Sequence, residues 1–309
     1  MLWLCPKDNP KSTGKPSARS GHTITCSNEK AFIFGGCGID QGAAAVFNDM
    51  WMLHISDAFR WEKVDAMGDL PSPRWRHTAT LLPDNNTIFV FGGLCRGKRF
   101  NDAHLYDMQR REWHAADIAG TPPHPRSHHT ASLVEFDEEE DGDAEKKIFI
   151  IGGYGGHGST RDFTMDVHAL DLDNWSWSKI ERIKGPAPKP RADHTVCVAD
   201  NLLILSGGRG SAVTDKKTGG FSGYFDDVHI LDLADQVRRS PQRERAQGEK
   251  GERRGRAQRE SEEGERRERV DIPQRYSRDT AEIPQRYRSS AERTRGRVDR
   301  VRARRWRRL

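Results

Sequence analysis

Phe89-Val90-Phe91-Gly92-Gly93 is an apolar run that stops on a pair of glycines, and the same arrangement stands at three other places in the chain. Phe32-Ile33-Phe34-Gly35-Gly36 precedes it, Phe149-Ile150-Ile151-Gly152-Gly153 follows, and Leu203-Ile204-Leu205-Ser206-Gly207-Gly208 is the fourth. Successive second glycines are 57, 60 and 55 residues apart, so a whole structural unit recurs rather than one duplicated motif. A doubled glycine after a buried strand suits a backbone that takes positive φ or passes close to a neighbour, where a Cβ would clash.

The rest of the unit repeats in the same order. Upstream of each glycine pair is an Arg-x-x-His-Thr: Arg19, His22, Thr23; Arg74, His77, Thr78; Arg126, His129, Thr130; Arg191, His194, Thr195. A Gly and a Pro usually stand just before it, as in Gly14-Lys15-Pro16, and mark a turn. Downstream, Asp49, Asp102, Asp166 and Asp227 are each followed four positions later by Leu53, Tyr106, Leu170 or Leu231. Trp61, Trp113 and Trp177 then close the first three units, and the fourth has no such tryptophan. The short runs between are rich in Val, Ile, Phe, Trp and Thr and are separated by Gly, Pro, Asn and Asp, which is strand and turn chemistry.

These marks resemble the kelch repeat, in which a diglycine, a downstream aromatic and a spaced tryptophan define a four-stranded propeller blade. The resemblance covers residues 1 to 233 and implies an all-β, kelch-type β-propeller of about four four-stranded blades. Strand one starts at the His-Thr, strand two ends at Gly-Gly, strand three carries the Asp-to-Leu segment and strand four the tryptophan. On that assignment Leu2-Trp3-Leu4 is an isolated fourth strand that completes the last blade and ties it to the first. Kelch rings usually hold five to seven blades, so four units imply either a small closed ring or a sequence that stops short of its remaining blades; the change after residue 236 favours the second.

That change divides the chain into a repeat domain, 1–236, and a low-complexity tail, 237–309. The tail holds 25 of the 51 basic residues and 13 of the 46 acidic ones, a net +12, which leaves −7 on the body and hides both inside an overall +5. Its apolar residues are too few to offset the entropy of ordering, so disorder is expected there. A nucleic-acid-associated protein that binds through its clustered arginines is a further alternative, with Arg293 to Arg308 the better candidate stretch, against the plainer reading of a solvated charged tail. An acidic insertion between Glu135 and Lys147 lengthens the first hairpin of the third unit.

Five cysteines fit neither a disulfide framework nor paired metal-ligand spacing, and no apolar run reaches bilayer length; the cytosol is expected, with the nucleus open through the tail. Kelch propellers also resemble the galactose oxidase scaffold, which makes a propeller enzyme with a metal in the central channel the alternative, His22, His77, His129 and His194 being the conceivable ligands. Their recurrence once per unit at one strand position favours structural hydrogen bonding instead, and no cofactor is expected. Recognition is placed in the loops after the glycine pairs, where basic and aromatic residues converge on an acidic body: Arg96, Lys98, Arg99, Tyr154, His157, Arg161, Arg209 and Tyr224. The function expected is a non-catalytic protein-interaction scaffold with protein partners, acidic ones among them.

Overall fold

The computed structural model describes residues 9–57, 59–136, 144–156, 162–214 and 221–234. Four sheets follow one another, each a meander built from one repeat. Sheet one orders Thr23–Ser27, Lys30–Phe34, Met50–His54 and Arg60–Val64 side by side. Sheet two does the same with Thr78–Leu81, Thr87–Phe91, Ala103–Asp107 and Glu112–Ala115. Sheet three uses Thr130–Phe136, Glu145–Gly155, Asp162–Asp171 and Ser176–Lys179. Sheet four has three described strands, Thr195–Ala199, Leu202–Ser206 and Val228–Asp232.

Strands start and stop where the repeat marks predict, because each mark is a backbone punctuation. In sheet three the second strand runs on through Gly152-Gly153, and the register against its neighbour shifts between Ile151 and Gly153; there the glycines form a bulge rather than an end.

The faces of the sheets make three separate cores. Phe32, Phe34, Met50 and Met52 of sheet one pack on Ile88, Val90, Tyr106 and Trp113 of sheet two. Phe89 and Phe91 meet Ile148, Ile150, Leu170 and Trp177 of sheet three. Phe149, Ile151 and Val167 meet Leu203 and Leu205 of sheet four. Two of the three closing tryptophans thus face the preceding sheet: Trp113 sits 4.8 Å from Phe34 and Trp177 5.3 Å from Phe91, ring centre to ring centre. Trp61, with no described sheet before it, is only half-buried.

Outer edges are covered by the segment that leads into each sheet. Met67–Gly68 pairs in parallel with Glu112 and Trp113, and Ala119–Gly120 with Ser176 and Trp177. At sheet one, the Thr13 amide donates to the Trp61 carbonyl at 3.1 Å and the Trp61 amide donates to Ser12 Oγ at 3.0 Å. An uncovered strand edge is a template for unwanted pairing, and these short additions blunt it. Sheet four differs. Where a fourth strand would stand there is a groove of about 350 Å³ between Val228–Asp232 and residues 182–188, floored by Leu203, Leu205 and Leu231. Leu2-Trp3-Leu4, expected in that position, lies outside the described residues, as do most of the acidic insertion and the tail.

Candidate functional site

Each repeat arginine is a joint between two sheets. Its side chain stays within its own unit: Arg126 donates to both carboxylate oxygens of Asp166 at 2.7 and 2.9 Å, to the Gly152 carbonyl at 2.9 Å and to the His124 carbonyl at 3.0 Å. Arg74 does the same with Asp102 and Gly92, Arg191 with Asp227 and Gly207, and Arg19 with Asp49 and Gly35. The guanidiniums of Arg74, Arg126 and Arg191 are essentially sealed from water, and they hold Asp102, Asp166 and Asp227 below the ordinary carboxylate range against the cost of burial. Its backbone reaches the preceding unit: the Arg74 carbonyl accepts from the Gly36 amide at 2.8 Å, and the Arg74 amide donates to the Phe47 carbonyl at 3.0 Å.

The glycine pair exists for that joint. Gly92 has φ +65°, and a Cβ there would lie 2.9 Å from both the Arg126 carbonyl and the His129 ring; Gly35 and Gly152 are pressed in the same way by the next sheet. The second glycine of each pair is instead crowded by its own unit, Gly93 by His77 and Trp75. Thr23 Oγ1 meets His77 Nε2 at 3.0 Å, Thr78 meets His129 at 3.0 Å and Thr130 meets His194 at 3.1 Å, so each histidine is hydrogen-bonded to the sheet before it. Nδ1 of all three is buried without a partner. Burial holds His77 neutral, its pKa lowered to about 3, and lowers that of His194 to about 4. Among the described residues no group of three or more His, Cys, Asp or Glu side chains is placed to hold a metal ion.

The residue before each of these histidines takes a left-handed conformation: Gly21, Arg76, His128 and Asp193 have φ of +64°, +55°, +60° and +55°. They are strung together, with the Arg76 amide donating to Gly21, the His128 amide to Arg76 and the Asp193 amide to His128, at 2.7, 3.1 and 3.0 Å. Three non-glycine residues in this strained region show that the contacts around them over-determine the backbone. The strip presents its side chains at the rim of a pit of about 300 Å³ whose wall is the repeat histidines.

At that rim, Arg76 Nη1 lies 3.1 Å and Arg209 Nε 2.6 Å from opposite oxygens of Asp193. The Arg99 guanidinium stacks 4.5 Å over the Tyr154 ring, Tyr154 leans on Phe163 at 4.9 Å, and Arg209 lies 5.6 Å over Phe163. Trp75 adds a ring 6.0 Å from His128. Burial drives the His128 pKa down, and the charges that reach it are Asp193, Arg76, Arg209 and Arg99. Among the described residues three guanidiniums gather near the Asp193 carboxylate, and the carboxylate next along the strand, Asp162, accepts from the Phe163 amide, so the rim carries a net positive charge.

Of the residues expected in recognition, Arg99, Tyr154 and Arg209 therefore come together. Arg96 caps the turn between Leu94–Cys95 and Lys98–Arg99 with φ +46° and is exposed, and Lys98 lies 5.6 Å over Phe100, outside this cluster. Tyr224 pairs with Arg209 in the adjoining ribbon and is 79% exposed, while His157 and Arg161 lie outside the described residues. Arg76, His128, Asp193, Trp75 and Phe163 were not anticipated. Alignment of the four units on their histidines was the signal that could have found the first three.

A family model described as the KLHDC2/KLHL20/DRC7 Kelch-repeats domain matches residues 21–257. The dynein alpha chain of the flagellar outer arm of Chlamydomonas reinhardtii is 35% identical over 245 residues, covering 75% of this chain and 5% of that protein. Host cell factor 2 of Homo sapiens is 30% identical over 235 residues, covering 67% and 28%. Kelch domain-containing protein 1 of Homo sapiens is 29% identical over 221 residues, covering 62% and 50%. The chain thus spans half or less of the length of these relatives.

Proposed function

The chain belongs to the kelch-repeat family, and we propose that it is a non-catalytic protein-interaction scaffold whose partner surface is the cationic, aromatic rim at the diglycine end. The observation that carries this reading is the pairing of Arg76 and Arg209 with Asp193 beside the stack of Arg99, Tyr154 and Phe163, with Trp75 against Arg76. Arginine and aromatic rings are the side chains that supply most binding energy at protein interfaces, because they offer area and hydrogen bonds at low entropic cost. The net positive charge selects acidic segments and accelerates their approach. The sheets beneath supply a rigid base, since every rim residue is fixed through a strand end or the left-handed strip.

The test uses a labelled peptide of alternating Glu and Phe, with a Lys and Phe peptide as control, measured by fluorescence anisotropy against the full chain. The acidic peptide is expected to bind and the basic one not. Arg99→Ala with Arg209→Ala should weaken binding about tenfold, or about 1.4 kcal/mol, and leave melting within about 0.5 kcal/mol of the parent. Unchanged binding by a folded double variant sinks this assignment of the surface.

A further inference from the structure

We propose that the cleft between sheets one and two, at the end of the strands opposite the glycine pairs, binds an uncharged, fused-ring aromatic molecule that carries a carbonyl acceptor. The cleft has a volume of about 600 Å³, within the size range of small-molecule sites. Its apolar walls are Phe32, Met52, Val64, Tyr106 and Met108, and the hairpin turns at Asn28, Asn85, Asn86 and Gln109 form its mouth.

The cleft exists because this junction departs from the one beside it. Between sheets two and three the corresponding space is filled: Leu82 and Leu170 are buried, and Leu172 and Trp175 pack against that core. Aligned on the His-Thr, the aspartate and the tryptophan of each unit, the same positions between sheets one and two hold Ser27, Tyr106, Met108 and Arg111. Ser27 lacks the branched side chain of Leu82 and gives its hydroxyl to the Asn85 carbonyl at 2.8 Å. Arg111 and Trp175 share a left-handed turn, with φ +57° and +46°. The indole lies on the core, whereas the Arg111 guanidinium reaches out to Glu62 at 2.6 Å. The first junction thus lacks two large apolar groups, and it has a hydroxyl where the second has a leucine.

Tyr106 is the residue that points to a ligand. It is fully buried, and its hydroxyl has no hydrogen-bond partner among the described residues. A buried hydroxyl left unpaired is a standing cost, relieved when an acceptor reaches it. Burial pushes its pKa up to about 12, so at neutral pH the group stays protonated and is a donor.

The remaining lining selects the kind of molecule. The Phe32 and Tyr106 rings stand 6.1 Å apart, centre to centre, and the thioethers of Met52 and Met108 line the same cleft. Aromatic faces and thioether sulfur both favour a flat π system. Charge around the mouth is cancelled. Glu62 accepts from Arg111 and Arg60 and meets His54 Nε2 at 2.9 Å, while Glu29 and Lys30 are of opposite sign. Carboxamides and hydroxyls make up the rest of the mouth, and these bond to uncharged polar edges.

Riboflavin, an uncharged fused-ring compound with carbonyl oxygens, is the probe, and quenching of its fluorescence by the full chain is the readout. Saturable binding at one site per chain is expected. Tyr106→Phe should weaken it about tenfold and melt no lower than the parent, because the hydroxyl it deletes has no protein partner to lose. Ser27→Leu, which copies Leu82 into the cleft, should abolish binding in a chain that still melts cooperatively. Anilinonaphthalene sulfonate, aromatic but anionic, should bind more weakly than riboflavin. A parent that shows no saturable binding overturns the proposal. So does a Tyr106→Phe chain that binds riboflavin as tightly as the parent or melts several degrees lower, and so does a preference for the anionic probe.

Discussion

Lowering the pH from 7.5 to 5 should weaken the fold by at least about 4 kcal/mol, and the repeat histidines are the cause. His77 Nε2 faces Thr23 and His194 Nε2 faces Thr130, while Nδ1 of each is sealed in protein without a partner and a repeat arginine stands nearby. A second proton would bury a cation beside a guanidinium, with Asp193 offsetting part of that cost at His194 and no carboxylate doing so at His77. The folded pKa is therefore depressed, to about 3 for His77 and about 4 for His194, against 6.5 in an exposed chain. Between those limits the unfolded chain binds more protons, so stability is complete above pH 6.5 and is lost as pH falls toward the folded values. At pH 5, 1.5 units below the unfolded value, each histidine forfeits about 2 kcal/mol. His129, His22 and His104 are shifted in the same direction and add to the loss. The clamped aspartates contribute stability that is present above about pH 4 and is lost only below it, so they leave this window to the histidines. Urea unfolding followed by fluorescence of the buried Trp113 and Trp177 at each pH gives the free energies directly. His77→Gln should show a pH-linked loss smaller by about 2 kcal/mol than the parent. A parent equally stable at pH 7.5 and pH 5, or a variant with the parent's full pH dependence, refutes the reasoning.

Arg126→Met should cost about 3–5 kcal/mol by taking the paired cation from Asp166, which then keeps only Thr164 and His168 as neighbours, and the donor from the Gly152 carbonyl, and adding Asp166→Leu should recover part of the loss in the melting temperature. Gly92→Ala and Gly207→Ala share φ of +65° and hence about 1–2 kcal/mol of backbone strain, but only Gly92→Ala also drives a methyl to 2.9 Å from Arg126, so it should melt several degrees lower; equal losses would contradict the junction role of the first glycine. Binding of the acidic peptide should weaken steadily as salt is raised from 50 to about 300 mM, because Arg76 and Arg209 are about two-fifths exposed and screened by ions; affinity independent of salt would point to the aromatic rings alone.

The strands were legible in the sequence because what fixes them is local: a glycine pair that ends a run, a His-Thr that starts one, a tryptophan at a set distance from an aspartate. The partners of those marks were not legible. Arg and Asp stand in every unit, yet they are 30, 28, 40 and 36 residues apart, since the loop between them varies while the bidentate pair does not. A fixed contact bridged by a variable loop leaves no period to detect. The rim was half legible for a related reason. Arg99, Tyr154 and Arg209 lie in the segments after the glycine pairs, whose composition stands out and which the structure forms into short strands rather than the loops expected, whereas Arg76, His128 and Asp193 are single positions, one per unit, with no shared chemistry among arginine, histidine and aspartate. What they share is a left-handed backbone, imposed by the bonds from one unit to the next. That conformation tolerates different side chains at modest cost once the neighbouring sheets enforce it, so the rim can change its charge while the joint beneath stays the same. On this argument the side chain at position 76, 128 or 193 sets what the surface binds, and the first glycine of each pair sets only that there is a surface to vary.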